Sequence, residues 1–462
     1  MRLLVRLTVV LLAGLNASAA VADEKPTRPN IVVFITDDQS RLDCTAYGST
    51  DVRTPNMAKL AQQGMTFDRA FVASPSCAPS RAALLTGLMP ARNGAEPNHS
   101  RPRKEIKKRP AYFQELGYEV VAFGKVAHYN QAKLYGFDQE AAGKFQSKGN
   151  MEAARKYLDE YTGDKPVCLL FGTHQPHGPW PANKGYDPDA IGLRPTHVDT
   201  EKTRKMRSRY YTSVTEADRR LGVIYELVQA KLGPETMFVF TSDHGAQWPF
   251  GKWNLYDEGT RVPMIVSWPG RVEANTRTDA MVSWIDLLPT LLELAGGEPP
   301  AAPTQIDGRS FAGVLTGEQD THRDEIFTTH SGDGNHNVFP IRAVRDRRWK
   351  YILNLHPEFV YESHVINAAR QRGDRGYWQS WVDAAEHDKH ARWVVDHYQH
   401  RVAEELYDLE EDPHEQENLA ADPDQSQRVR EMRQRLEEWM AEQGDQQKVY
   451  GEPKLRQEPA QG

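Results

Sequence analysis

A cysteine, a proline and an arginine stand at a close spacing in residues 76–87, where Cys77 is followed by Pro79 and Arg81. The residues after Cys77 form a helix-like run. We therefore expect Cys77 at or just before a helix N-terminus, where backbone N–H groups and the helix dipole favour negative charge. Arg81 comes one helical turn later and can point toward the same spot. This spacing predicts a site for a tetrahedral anion, and the simplest alternative is a buried cysteine in a loop–helix turn.

Carboxylates follow two other apolar segments of the chain. Asp37 and Asp38 come directly after one such segment, and Asp243 with His244 comes soon after another. Sites that combine several carboxylate oxygens suit Ca²⁺ or Mg²⁺. A single Asp-Asp pair is also common in surface turns, so the prediction of a metal site depends on these groups converging in the fold.

The two acidic pairs and two further polar clusters each follow a continuous apolar run. The four runs are residues 30–36, 118–123, 167–171 and 237–240. Such runs are typical of strands that are buried on both faces of a parallel sheet. Helical patterns lie between them, at 55–63 and 210–231, which indicates an α/β sheet with helices on both faces. Ligands of such sheets bind beyond the carboxyl ends of the strands. Lys125, His128 and His177 should therefore join the carboxylates in one crevice.

The size and charge of the chain limit its partners. The chain has 462 residues, so we expect two domains rather than one. Its net charge is −7. The negative charge argues against nucleic acid as a partner. An anionic substrate would have to be held by local basic residues.

The first 22 residues have the pattern of a secretory signal peptide. Two arginines precede a short apolar run, and residues 20–22 fit a small-residue cleavage site. The run is too short to span a bilayer, and we see no later segment with the length of a transmembrane helix. We expect a secreted or periplasmic protein without an integral membrane segment. Cys44 and Cys168 could pair in an oxidising compartment, which spacing alone leaves open.

We divide the chain into a signal peptide at 1–22, a catalytic α/β domain at 28–320, a smaller α+β domain at 321–445 and a polar tail at 446–462. Strand patterns at 341–345 and 349–353 flank a short turn, which predicts a hairpin of an antiparallel sheet in the smaller domain. A further strand over 405–409 and a charged amphipathic helix over 425–443 complete that domain. We expect the tail to be frayed.

The segment around Cys77 resembles the maturation signature of the type I sulfatases, C-x-P-S-R-x-x-x-L-T-G, at every fixed position. In that family a maturation enzyme oxidises the cysteine to formylglycine, whose hydrated aldehyde is the nucleophile. The resemblance implies that Cys77 is the formylglycine precursor. It also implies an alkaline-phosphatase-like fold, with a mixed, mostly parallel sheet between helices. One Ca²⁺ ion per site would be held by Asp37, Asp38, Cys77, Asp243 and His244.

The same resemblance implies roles for the basic residues. Lys125 and Lys252 would bind the sulfate group, and Arg81 would orient the formylglycine. His128 would be a partner of the formylglycine. His177, the second histidine of a His-x-Pro-His motif, would face the leaving group as general acid. Taken singly, each of these residues could instead be an exposed lysine or a loop histidine with ordinary partners.

Two basic residues of the predicted second domain, His330 and Arg342, are candidates for sugar binding. His330 lies in a glycine-rich loop that could reach the active site from the second domain. The alternative for such residues is surface charge.

Within the family, the similarity leans toward the heparan N-sulfatases. It depends on residues 251–256, 339–344 and 405–408, which read Gly-Lys-Trp-Asn-Leu-Tyr, Phe-Pro-Ile-Arg-Ala-Val and Glu-Leu-Tyr-Asp. Residues 124–128 and 243–245 are instead similar to iduronate-2-sulfatases, and Lys252 stands where the N-sulfatases have arginine. The implied reaction is release of sulfate from N-sulfoglucosamine in a sulfated oligosaccharide.

Three other functions stay open at this point. One is an O-sulfatase that acts on iduronate 2-sulfate or a hexosamine sulfate. A second is a phosphate or phosphonate ester hydrolase, because sulfate and phosphate esters share tetrahedral geometry. The third is a non-catalytic binder of sulfated glycans. The sequence also leaves open a homodimer and whether Cys77 is matured in a given host.

Overall fold

The computed structural model describes residues 28–141, 149–367 and 376–456, so the predicted signal peptide at 1–22 lies outside the described residues. The strands are β1 (Ile31–Asp37), β2 (Met65–Phe71), β3 (Glu119–Gly124), β4 (Gln139–Ala141), β5 (Val167–Pro176), β6 (Met237–Ser242), β7 (Arg261–Val262), β8 (Met264–Ser267), β9 (Thr276–Ser283), β10 (Ile326–His330), β11 (Ile341–Arg345), β12 (Trp349–Asn354) and β13 (Glu404–Asp408).

The helices surround these strands on both sides and at one end. They are α1 (Pro55–Gln62), α2 (Cys77–Thr86), α3 (Pro90–Asn93), α4 (Arg109–Glu115), α5 (Gly149–Glu160), α6 (Glu201–Lys231), α7 (Asp257–Thr260), α8 (Leu287–Leu294), α9 (Ala312–Leu315), α10 (His364–Asn367), α11 (Tyr377–Ala385), α12 (Lys389–Gln399) and α13 (Ser426–Glu442).

The first nine strands form one mixed sheet in the order β4-β3-β5-β1-β6-β8-β2-β7, with β9 beside β2. The strands β4, β3, β5, β1 and β6 run parallel to one another, and β8 is antiparallel to β6. The four apolar runs that predicted strands correspond to β1, β3, β5 and β6. The prediction of a mixed, mostly parallel, alkaline-phosphatase-like sheet is therefore confirmed.

Strand β1 explains why the sheet is covered on both faces. All seven of its residues are buried. Ile31, Val33 and Ile35 enter the core on one face, and Val32 and Phe34 enter the core on the other. A strand with apolar side chains on both faces has to lie inside the sheet. Its carboxyl end consequently delivers the next residues to an enclosed crevice.

The second sheet is antiparallel and has the order β10-β11-β12-β13. The predicted hairpin corresponds to β11 and β12, which pair from Ile341 with Asn354 to Arg345 with Lys350. Helix α13 covers one face of this sheet, and Trp439 stacks on Phe327 with ring centroids 4.6 Å apart. An antiparallel C-terminal sheet with a covering helix is confirmed.

The part of the predicted tail that the structure describes, residues 446–456, is held at two points. The Tyr450 hydroxyl donates to Glu96 over 3.0 Å, and the backbone N–H of Arg456 donates to the Glu358 carbonyl over 2.9 Å. Residues 446–456 are exposed or half-buried, as the polar composition indicated. The fraying that we predicted for the end of the chain stays a prediction.

Two further sequence predictions concern membrane-spanning segments and a disulfide bond. Among the residues that the structure describes, no helix is both long enough and apolar enough to cross a membrane. Cys44, Cys77 and Cys168 are all buried and unpaired, so the disulfide that the sequence left open is absent. Cys44 and Cys168 lie in the cores on opposite faces of the sheet, which explains why they do not meet.

Candidate active site

Cys77 is the first residue of helix α2, which lies entirely in the protein interior. Ser76 precedes it in an extended conformation, with φ −141° and ψ 142°, and the helix ends at Gly87 with φ 69°. A left-handed residue at this position favours glycine, because other residues meet a steric penalty there. The predicted placement of Cys77 at a helix N-terminus agrees with the structure.

The Cys77 sulfur lies among charged groups from four separate parts of the chain. Its Sγ is 3.4 Å from Nζ of Lys125, 3.4 Å from Nζ of Lys252 and 3.3 Å from Nε2 of His244. Oδ1 of Asp37 is 3.6 Å away. Cys77 is only 1 % exposed, and this burial raises the pKa of its thiol. The sulfur thus belongs to a buried thiol with two ammonium groups 3.4 Å away.

Each of the two lysines is paired with one of the adjacent aspartates. Lys125 Nζ lies 2.7 and 2.6 Å from the two carboxylate oxygens of Asp37. Lys252 Nζ lies 2.8 and 3.0 Å from those of Asp38. Burial would raise the pKa of Asp37, but Lys125, His177 and Arg81 outweigh it and hold that pKa well below its usual value. Burial raises the pKa of Asp38 to about 7 in spite of Lys252.

Arg81 connects the helix to the carboxyl ends of three strands. Its guanidinium contacts Asp243 Oδ2 at 2.9–3.0 Å and Asp37 Oδ1 at 3.4 Å. It also donates a short hydrogen bond to the Lys125 carbonyl. The side chain is fully buried, so its five N–H donors are committed to holding these strand ends together.

Five potential ligand atoms converge at this point. One atom each from Asp37, Asp38, Cys77, Asp243 and His244 lies within 4.8 Å of the others. His244 Nδ1 lies 3.0 Å from the Gly245 carbonyl, which fixes the proton on Nδ1 and leaves the Nε2 lone pair facing Cys77. Asp38 adopts a left-handed φ of 66°, a strained conformation of the kind that collects at functional sites.

The donor chemistry of this cluster fits a divalent cation. Three carboxylates supply the hard oxygen atoms that Ca²⁺ prefers. Burial and the neighbouring charges of Asp37 and Asp243 outweigh Lys252 and raise the pKa of Asp38 to about 7, so this carboxyl favours a further positive charge nearby. A cation at the cluster would supply that charge.

His177 lies at the opening of the pocket. Its side chain is 25 % exposed, and its Nε2 is 3.7 Å from Asp38 Oδ2. Its Nδ1 lies 2.5 Å from the Gly178 carbonyl, so that nitrogen carries the proton in the neutral ring. Burial and the charge of Lys252 lower the pKa of His177 well below its ordinary value. The structure thus brings His177 to the rim and directs Nε2 inward.

The other three predicted residues lie further from the Cys77 sulfur. His128 is bonded to His99, with its Nε2 2.7 Å from the His99 Nδ1. His330 is 1 % exposed and lies 3.2 Å from the hydroxyl of Ser76, so it supports the start of α2 from behind.

Arg342 is fully buried and forms an ion pair with Asp445. His330 and Arg342 are enclosed, and their polar groups lie against protein partners; that they bind sugar stays a prediction. Their sequence context showed their charge but gave no indication of these partners.

The sequence analysis missed a second polar cluster beside the pocket. Asp333 accepts hydrogen bonds from Asn98 and Trp253 and pairs with His99 and His364. Asp333 and the histidine-containing loop around it are visible in the sequence, but His99 stands in a segment without any periodic pattern. His99 and Asp333 are 234 positions apart in the sequence and meet only in the fold, so no local sequence pattern predicts their contact.

The mixed sheet, together with a cysteine surrounded by two lysines and three carboxylates at its carboxyl edge, defines a hydrolase of the alkaline-phosphatase-like class. A family model described as sulfatase matches residues 29–297. The chain therefore belongs to the sulfatase family. A second model, described as the C-terminal part of N-sulphoglucosamine sulphohydrolase, matches residues 244–366.

Individual relatives extend over nearly the whole chain. An ulvan-active sulfatase of Formosa agariphila is 31 % identical, covering 93 % of this chain and 83 % of the relative. The human N-sulphoglucosamine sulphohydrolase is 28 % identical, covering 90 % and 91 %. The solved structure of a 2-O glycosaminoglycan sulfatase has a TM-score of 0.70 at 23 % identity, covering 94 % and 98 %, which shows the shared fold.

Proposed function

We propose that this protein is a calcium- and formylglycine-dependent sulfatase that removes sulfate from sulfated glycans, with N-sulfoglucosamine as its preferred substrate. The observation that carries the proposal is the environment of residue 77. Its sulfur lies 3.4 Å from the Nζ atoms of both Lys125 and Lys252 and within a cluster of five metal-ligand atoms. Positive charge on two sides and a cation site on a third suit an anionic group bonded at this position.

The cysteine itself is a poor nucleophile in this setting. Burial raises the pKa of the thiol, and a thiol reacts far more slowly than a thiolate. Oxidation of Cys77 to formylglycine would replace it with a hydrated aldehyde that carries two hydroxyl groups, one to attack sulfur and one to expel the product. Cys77 is 1 % exposed, so a maturation enzyme would have to act before the chain folds.

The residues around position 77 have distinct proposed roles. Asp37, Asp38, Asp243 and His244 hold Ca²⁺ together with residue 77, and that ion supplies Lewis-acid polarisation of an oxygen. Arg81 keeps Asp37 and Asp243 at their separation through its two carboxylate contacts.

Two lysines and a histidine would act on the substrate. Lys125 and Lys252 stabilise negative charge on the sulfate oxygens. His177, at the rim of the pocket, would act as general acid through its inward Nε2, which must first take up a proton because the neutral ring carries its proton on Nδ1.

The choice of N-sulfate is supported by two of the comparisons. Residues 244–366 match the model of the N-sulphoglucosamine sulphohydrolase C-terminal part, and the human enzyme aligns over nearly all of both chains. A specific observation also favours an O-sulfatase: the ulvan-active relative has the higher identity, at 31 %. We therefore propose O-sulfate release from another sulfated sugar as the second candidate.

The location of the protein is part of the proposal. The first 22 residues have the composition of a secretory signal, and polymeric sulfated glycans are extracellular substrates. We propose that the protein acts in the periplasm or outside the cell.

The test is a comparison of released sulfate from matched substrates. Protein co-expressed with a formylglycine-generating enzyme is incubated with glucosamine N-sulfate, with O-sulfated uronic acid and hexosamine, and with a phosphate monoester. Mass spectrometry verifies formylglycine at position 77, and Cys77→Ala is the control. Sulfate from the N-sulfate alone would establish the first candidate, and sulfate from an O-sulfate alone would establish the second. Phosphate release without sulfate release, or activity retained in Cys77→Ala, would overturn the proposal.

A further inference from the structure

A strongly basic segment of the surface begins next to the active site. Five of the eight residues at 101–108 are Arg or Lys and one is Glu, in a chain whose net charge is −7. We call residues 101–108 the basic strip. Four of its cations are exposed and Lys108 is half-buried; the exposed ones are Arg101, Arg103, Lys104 and Lys107. The strip can therefore attract anions that the protein as a whole repels.

The chain passes from the active site to the basic strip within a few residues. Asn98 Oδ1 accepts from the backbone N–H of Ala78, the residue directly after Cys77, over 3.0 Å. The next residue, His99, already has a side chain that is 46 % exposed. Two residues span at most about 7 Å, so Arg101 lies within that distance of His99. The strip thus starts close to residue 77 and leads away from it along the surface.

Both ends of the basic strip are attached to helix α2. The contact between Asn98 and Ala78 holds the end near the active site. At the other end Arg109 is fully buried, and its Nη2 donates to the Leu84 carbonyl over 3.0 Å. These two points on α2 are six residues apart, which corresponds to about 9 Å along a helix. The strip is therefore held in place beside the helix that carries residue 77, and a ligand need not order it on binding.

Two of the five positive charges of the strip have a carboxylate partner on the surface. Lys107 Nζ lies 2.6 Å from Glu115 Oε2, and Arg103 Nε lies 3.2 Å from Glu105 Oε1. These four side chains are between 39 and 70 % exposed. Exposed ion pairs are weakened by water and salt and contribute little free energy, so both cations remain able to bind another anion.

The other three charges of the strip have no carboxylate partner. Among the residues that the structure describes, the side chains of Arg101 and Lys104 form neither an ion pair nor a hydrogen bond. Lys108 Nζ donates only to backbone carbonyls, to that of Lys104 over 3.2 Å and to that of Ile106 over 2.8 Å. Cations gathered on one short segment repel one another, and a bound anion would relieve that repulsion.

We propose that the basic strip is a second binding site for a sulfated polysaccharide chain, which it holds while one sulfated sugar of the same chain lies in the pocket at residue 77. The proposal rests on the proposed function for the identity of this polyanion. Anionic groups repeat along such a chain, so a chain in the pocket presents further sulfates to a strip that begins a few residues away. The second contact is then intramolecular, and the two together bind more tightly than either alone.

The test measures binding without turnover. Full-length protein that is expressed without a maturation enzyme, and so keeps Cys77, is titrated with labelled heparan sulfate chains and with a disaccharide cut from them. We expect the chains to bind more tightly than the disaccharide at about 0.1 M salt. The difference should shrink at about 1 M salt, because the screening length falls from about 10 Å to about 3 Å. A difference that is unchanged by salt would overturn the proposal.

A pair of double variants separates the strip from the overall charge of the protein. Arg101→Gln with Lys104→Gln removes the two exposed charges of the strip that have no partner in the fold. Lys59→Gln with Arg430→Gln removes two exposed charges from α1 and α13 and changes the net charge equally. At about 0.1 M salt we expect the strip variant to lose about tenfold in affinity for the chains and the control to lose less than about twofold. Equal affinities of the two variants would contradict the proposal.

Two other polyanions identify the partner. If unsulfated hyaluronan binds as tightly as heparan sulfate, or if the strip variant loses affinity for a DNA duplex but not for heparan sulfate, the assignment to a sulfated glycan is wrong. Failure of the proposed function is a separate result, because binding is measured before maturation. Matured protein that releases no sulfate but binds the chains through the strip would refute the sulfatase proposal alone. Sulfate release together with binding that does not depend on the strip would refute this inference alone.

Discussion

At the scale of single residues, the charges around Cys77 are balanced within the protein itself. The three carboxylates of Asp37, Asp38 and Asp243 are matched by Lys125, Lys252 and Arg81, all buried. Adding a divalent cation gives the pocket two net positive charges, which suits a sulfate group. The arrangement explains how a protein with a net charge of −7 can hold an anion locally.

Calcium should stabilise the folded protein through the same carboxylates. At a calcium concentration 100 times the dissociation constant, we expect the free energy of unfolding to rise by about 2.7 kcal/mol. Asp38→Asn should lose most of this gain because it removes one ligand charge, while the exposed Asp320→Asn should keep it. Urea unfolding with calcium or with EDTA measures the effect. The idea fails if Asp38→Asn and wild type gain equally.

At the scale of elements, the active site depends on how closely β3 and β5 approach at their ends. A Cβ atom at Gly124 would lie 2.1 Å from the Gly172 carbonyl, and one at Gly172 would lie 2.0 Å from the Lys125 carbonyl. Gly124 also has a φ of 77°, which favours glycine. These two glycines let the strand ends touch, and Lys125 leaves β3 directly at that contact.

Gly124→Ala should therefore cost both stability and activity. Gly136 provides a control, since it has a φ of 81° but nothing within 4 Å of an added Cβ atom. We expect Gly136→Ala to lose about 1–2 kcal/mol from backbone strain alone and to keep its kcat. Gly124→Ala should lose more stability and also lower kcat, because the collision displaces Lys125. Urea unfolding and sulfate release measure the two effects, and equal behaviour of the two variants would contradict this account.

At the scale of the whole molecule, the second sheet and the segment that follows α13 are tied together by a buried ion pair. Arg342 on β11 and Asp445 after α13 are each 1 % exposed, and one guanidinium nitrogen lies 2.9 Å from Asp445 Oδ1. A buried charge that loses its partner is expensive, whereas an apolar pair in the same place is often tolerated. The pair explains how the charge of Arg342 is accommodated in the interior.

Arg342→Met should lower the free energy of unfolding by about 3–5 kcal/mol because it leaves Asp445 buried and unpaired. The double variant Arg342→Met with Asp445→Leu should recover most of that loss, as urea unfolding of both variants would measure. Neither should change KM for the substrate of the wild-type protein. If both variants are fully folded under the assay conditions and both have a raised KM, Arg342 binds the sugar.

The molecule should lose stability in mild acid because it buries neutral histidine. Burial lowers the pKa of His330 to about 4, below its ordinary value of roughly 6.5. Between these two values the unfolded chain binds the additional proton, so the free energy of unfolding falls as the pH falls. His330→Gln should remove roughly 3 kcal/mol of this fall. Urea unfolding of the wild-type protein and of the variant from pH 7 to pH 4 measures the difference, and equal slopes would contradict this prediction.

Local patterns in the amino-acid sequence were sufficient to predict the main sheet and the charged groups that meet at its edge. The motif at Cys77 and the acidic pairs after β1 and β6 are such patterns, and the apolar runs before them are long enough to require a buried parallel sheet. Because the carboxyl ends of such strands meet at one edge, Asp37, Lys125 and Asp243 could be expected in one crevice from the order of these patterns alone.

The partner of each polar group, in contrast, became clear only from the folded chain. His330 and Arg342 have the charge of binding residues, yet folding buries both among partners that their own sequence does not indicate. Asp333 and His99 showed no role in the sequence and line up behind His128 in the fold. The physical reason is that residue type sets the charge and proton-binding capacity of a side chain, while its partner is set by contacts between segments hundreds of residues apart.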